Sequence, residues 1–91
     1  MTALPRSLVL AVRSGQLHGR TLAVFVELHE WIDTERYQPV KAWYIAQQLG
    51  MSQNKVYRAI RALRALGYIE CGERLGTAYT YRLAQRAERV A

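Results

Sequence analysis

Residues 42–69, AWYIAQQLGMSQNKVYRAIRALRALGYI, constrain the fold of this chain more than any other stretch. Two amphipathic segments meet at Gly50-Met51-Ser52, a link short enough to demand a tight corner. In the first segment Ile45, Ala46 and Leu49 share one side, which predicts a helix from about Lys41 to Leu49. Gly50 supplies the permissive backbone of a helix–helix turn. Ser52 is a good N-cap for the next helix, Gln53 to Leu66, because its hydroxyl can accept from an unpaired first-turn amide. Gly67 is placed to end that helix.

At about 100° per residue, Val56, Ala59, Ile60 and Leu63 fall together on the inner side of the Ser52-capped helix. Asn54, Tyr57, Arg58 and Arg61 fall on the outer side, with Lys55 and Arg64 on the flanks. Such an outer face suits a polyanionic partner. Arg forms bidentate bonds to guanine in a major groove and Asn to adenine, while Tyr and Lys suit phosphates or a thymine methyl. Gln53 is a further adenine reader, since the first turn of such a helix enters the groove deepest. Net charge supports this face. The 91 residues carry +6, and residues 53–82 hold six cations against two acids. Residues 1–52 hold five cations against four acids. The excess therefore gathers on the segment proposed to bind.

The flanking segments read less sharply. Met1–Arg6 is loose, and Leu8, Val9, Leu10 and Val12 form a short helix or strand that covers the core. A long helix is expected from Arg20 to about Glu35, with Phe25, Leu28 and Ile32 at helical spacing. Leu22 and Val26 flank them on one side, Val24 and Trp31 on the other. An apolar arc that wide needs the N-terminal segment or a second subunit over it. Acids cluster near its end (Glu27, Glu30, Asp33, Glu35), which makes that face a poor nucleic-acid surface. Asp33–Pro39 is polar and carries Pro39, which stops the helix.

After Gly67 the period changes to alternation. Tyr68–Cys71 reads as a strand and Gly72–Gly76 as a hairpin loop. Ala78–Leu83 reads as the returning strand, with Tyr79, Tyr81 and Leu83 on one face and Ala78, Thr80 and Arg82 on the other. Residues 84–91 extend as a helix or fray. The expected architecture is mainly α with a small β-hairpin wing, in one domain. It divides into a cover segment (1–18), a helix-turn-helix (41–66), a wing (68–83) and a tail (84–91).

Ile45-Ala46, Leu49-Gly50, Met51-Ser52, Val56 and Ile60, followed by Leu63 and Gly67-Tyr68-Ile69, resemble the winged helix-turn-helix domain of bacterial, phage and plasmid regulators. RALRALGYIE resembles the recognition helix running into the first wing strand of multiple-antibiotic-resistance-repressor and arsenic-repressor types. The resemblance covers residues 20–83 and implies a DNA-binding module. It implies base reading by Gln53, Asn54, Tyr57, Arg58 and Arg61, and a wing-tip contact by Arg74. Ser52, Lys55, Arg64 and Arg82 are expected on phosphates. The chain departs from the first type in lacking room for its long extra dimerisation helices, and from the second in lacking a metal-sensing cysteine pair.

Simpler readings compete. The arginines could form a solvated helix face, and Tyr57 could pack on the wing rather than touch DNA. Trp31, Trp43 and Tyr44 read as core or interface anchors rather than a base-stacking platform. Cys71, the single cysteine, excludes an internal disulfide and reads as a small apolar residue of the hairpin. His18 and His29 stand alone, so no metal or other cofactor is expected. No phosphate loop, carboxylate pair or nucleophile–base signature points to catalysis. No apolar run approaches the roughly 20 residues of a membrane span. Ser7–Val12 is too short for a signal core. The expectation is a soluble cytoplasmic protein.

Three functions fit. The first is a homodimeric, sequence-specific duplex-DNA-binding transcriptional regulator, such as a repressor, with its recognition helix in the major groove and its wing on the flanking backbone or minor groove. The second is a phage or plasmid replication or partition module that recruits a protein partner through the acids near Glu30. The third is a protein-interaction winged helix without nucleic acid.

Overall fold

The computed structural model describes residues 13, 15, 17 and 19–84. The expectations for Met1–Val12 and for 85–91 lie outside them. The element order is α1 (Gly19–Leu28), β1 (Gln38–Val40), α2 (Ala42–Leu49), α3 (Gln53–Ala65), β2 (Ile69–Leu75) and β3 (Ala78–Leu83). Among the described residues, the three helices from Gly19 onward and an antiparallel sheet of order β1-β3-β2 make a winged-helix-like fold.

The corner forms through its caps. Gly50 adopts φ 64°, the left-handed conformation that favours glycine, and Met51 N donates to Ala46 O at 2.9 Å. Ser52 Oγ accepts from Lys55 N at 3.3 Å and opens α3. Tyr68 N returns to Leu63 O at 2.9 Å, past Gly67, and closes it. The four residues expected inside α3, Val56, Ala59, Ile60 and Leu63, are all buried. They meet Val24, Phe25 and Leu28 of α1, Ile45 of α2, and Ile69, Tyr81 and Leu83 of the sheet. Phe25 lies 5.3 Å from Tyr68 and 4.6 Å from His29, ring centre to ring centre. Each fully buried Phe or Leu here contributes about 1.5–3 kcal/mol by leaving water.

Three expectations are corrected. The first long helix ends at Leu28, not near Glu35. The amides of His29, Glu30 and Trp31 turn to carbonyls three residues back, so the helix tightens and stops. Asp33 Oδ1 then accepts from Glu35 N at 2.8 Å and Arg36 N at 3.3 Å, a local turn that competes with helix. Ile32 keeps its core place, 5% exposed, although it lies beyond the helix.

Secondly, the polar segment that carries Pro39, read only as the stop of the helix, leads into a strand. Gln38, Pro39 and Val40 pair with Tyr81, Thr80 and Tyr79. Proline is tolerated because β1 is an edge strand, where one side of the backbone needs no ladder partner.

Thirdly, most of Gly72–Gly76 is strand rather than loop. β2 continues to Leu75, and Gly76-Thr77 alone makes the turn, with Gly76 at φ 61°. A register shift between Cys71 and Arg74 marks a bulge in β2. Gly72 serves close approach there: a Cβ on it would lie 2.6 Å from the Tyr37 ring and 2.7 Å from Thr80 Oγ1. Thr80, expected on the outer face with Arg82, is 3% exposed and donates to Glu73 O at 2.6 Å. Tyr37 therefore lies against the outer face of the sheet, with the Arg82 guanidinium 4.5 Å over its ring.

Candidate nucleic-acid interface

The helical period that buries Val56, Ile60 and Leu63 turns the opposite side of α3 outward. Gln53, Asn54, Lys55, Tyr57, Arg58, Arg61 and Arg64 are all exposed. Among the described residues no acid pairs with Lys55, Arg58, Arg61 or Arg64; the one ion pair is Arg82 with Glu70. These four charges therefore remain available to an external anion. Long cationic side chains crowded on one face repel one another, and a polyanion relieves that repulsion.

The outer residues divide by surroundings. Asn54 and Arg58 are exposed and line neither cleft beside the wing. Gln53, Tyr57, Arg61 and Arg64 line clefts between α3 and β3. Tyr57 is 42% exposed, so its ring edges the cleft without being buried in it. Ser52 uses its hydroxyl on the Lys55 amide. Arg74 is exposed at the wing, its Nε donating to Gly76 O at 3.0 Å and its guanidinium 5.4 Å over the Tyr79 ring. These contacts hold the charge beside the turn.

Arg82 differs from the other cations. Its Nε meets Glu70 Oε1 at 2.6 Å on the face opposite Tyr81, and this contact holds its guanidinium above the ordinary arginine pKa. Its charge is neutralised within the sheet, so a phosphate contact gains little support from this geometry.

Lys41, Trp43 and Tyr79 also face the cleft between α3 and the wing, which the sequence reading did not assign to the site. A signal existed for two of them. Trp43 lies outside the inward set of Ile45, Ala46 and Leu49, and Tyr79 shares a strand face with Tyr81. Trp31, Trp43 and Tyr44 form a partly exposed cluster, with Trp31–Tyr44 centres 5.0 Å apart and Trp43–Tyr44 centres 5.6 Å apart.

Among the described residues there is no group of three or more His, Cys, Asp or Glu placed to hold a metal ion, and no helix long and apolar enough to cross a membrane. Cys71 is a free, half-buried thiol.

No protein-family profile and no curated protein matches the chain. Among solved structures it is similar to a possible transcriptional regulatory protein (fragment 1-100) from Mycobacterium bovis. The TM-score is 0.59 at 26% identity, over 90% of this chain and 83% of that one. The match supports a regulator-like winged fold and does not single out the multiple-antibiotic-resistance or arsenic-repressor type.

Proposed function

We propose that this protein is a non-enzymatic, sequence-specific binder of duplex DNA that regulates transcription. The outward face of α3, cationic and without ion partners among the described residues, carries the proposal. Asn54, Arg58 and Gln53 read base edges in the major groove, with Tyr57 and Arg61 beside them. Lys55 and Arg64 hold phosphates, and Arg74 contacts the flanking backbone or minor groove from the wing. The Mycobacterium bovis protein, a possible transcriptional regulator, supports transcription as the process.

Two copies acting as a homodimer would place two such helices on half-sites about one helical turn apart. Val26 is 49% exposed and Trp31 40% exposed, which leaves apolar surface for such a contact. Recruitment of another protein through the acids of the first helix gains less support. Glu27 accepts from Trp31 Nε1 at 3.0 Å, and Asp33 caps its own turn.

Selection of bound sites from a random duplex library tests the reading. The expected result is one enriched motif, an inverted repeat if the protein is a dimer, bound with a steep fall in affinity as salt rises. A library that yields no motif, with no binding even at low salt, would overturn it.

A further inference from the structure

The face of α3 that lines the wing has a second chemistry. Two cavities of about 150 and 230 Å³ lie between α3 and β3, and both are lined by Tyr57, Ile60, Tyr79 and Tyr81. They form one trench. Trp43 and Lys41 stand at one end, Arg61 and Arg64 at the other. Three large rings on its walls remain open to solvent: Trp43 is 49% exposed, Tyr57 42% and Tyr79 43%. Isolated surface aromatics are ordinary, but three around one cation-lined trench are a pattern. A closed duplex presents base edges and phosphates, and it hides the base faces that such rings bind best. An unpaired strand offers both base faces and backbone charge.

We propose that this trench takes an unpaired DNA strand, with bases stacking on Trp43, Tyr57 and Tyr79 and phosphates held by Lys41, Arg61 and Arg64. The strand site goes beyond the duplex reading: Tyr57 and Arg61 are shared with the duplex-reading face and Tyr79 touches it through Arg74, but Trp43 does not, so the two modes are separable. A site with a melted or single-stranded flank would engage both surfaces at once, with the wing turn at the point where the strands part.

The test is fluorescence anisotropy of the full chain with a labelled oligothymidylate, a blunt duplex of the selected site, and the same duplex carrying a single-stranded overhang. The wild type should bind the oligothymidylate at low salt and prefer the overhang to the blunt end. Trp43→Ala should weaken single-strand binding on the order of tenfold and leave blunt-duplex affinity unchanged. Tyr79→Leu, whose ring also lies under the Arg74 guanidinium, should weaken single-strand binding on the order of tenfold and blunt-duplex binding by much less. Tyr79→Phe keeps the ring and should keep the affinity. Retained duplex binding shows that a variant is folded; should Trp43→Ala fail to fold, Tyr79→Leu and Tyr79→Phe decide the question. Wild type that ignores the oligothymidylate, or ring-deletion variants that bind it as well as wild type, would overturn the proposal. Single-strand binding without any duplex binding would instead overturn the groove reading and leave the trench standing.

Discussion

Tyr81 joins core to interface at the scale of one residue. It is 5% exposed, and its ring is part of the trench floor. Burial pushes its phenol above the ordinary tyrosine value of 10.0; Cys71 adds to the rise and Arg64 opposes it. A pKa raised in the folded state favours the protonated form there. The resulting stability is complete below pH 10.0 and is lost as pH rises through the folded value. Thermal melts from neutral to strongly alkaline pH should show that loss, and Tyr81→Phe should flatten it. An alkaline limb of unchanged slope in Tyr81→Phe would assign the loss to other groups. Single-residue readings from sequence succeed where one rule governs the position. Val56, Ala59, Ile60 and Leu63 obey the helical period and are buried. Thr80 breaks the strand period because a bulge between Cys71 and Arg74 and the Tyr37 ring on Gly72 give it a buried site. Nothing near Thr80 in sequence encodes Tyr37.

Elements defined by local signals are legible in the sequence. The corner between α2 and α3 depends on Gly50 and Ser52, and the end of α3 on Gly67, each acting on backbone within a few residues, and both helices match expectation to within a residue. Elements defined by distant partners are not. β1 is three residues long and includes Pro39; it exists because β3 has a free edge. The end of α1 was hidden by Ile32, whose apolar side chain continues the helical spacing while its backbone has left the helix. The capping argument predicts that Ser52→Ala costs about 1 kcal/mol of stability and that Ser52→Asp restores it, since a carboxylate both caps and meets the positive end of the helix dipole. Denaturant unfolding measures both. Equal stability in Ser52→Ala would mean that the 3.3 Å hydrogen bond to Lys55 N contributes nothing.

On the scale of the whole molecule, charge follows architecture. Glu70 of β2, Glu27 of α1 and Asp33 beyond it meet internal partners in Arg82, Trp31 and a backbone turn. The cations of α3 meet none among the described residues. Folding thus gives three of the acids internal partners and leaves the positive charge of α3 gathered on its outward side. That asymmetry is the central claim, and the cluster of cations in residues 53–82 already shows it in the sequence. The trench beside the cluster was not legible, because it needs Trp43 of α2 and Tyr79 of β3 brought to one place. The most direct measurement is titration of wild type, Arg58→Ala and Arg61→Ala against the selected duplex over a range of salt. Each substitution should cost about 1–3 kcal/mol, and Arg58→Ala should also relax base preference. Affinity unchanged in both variants would contradict the account.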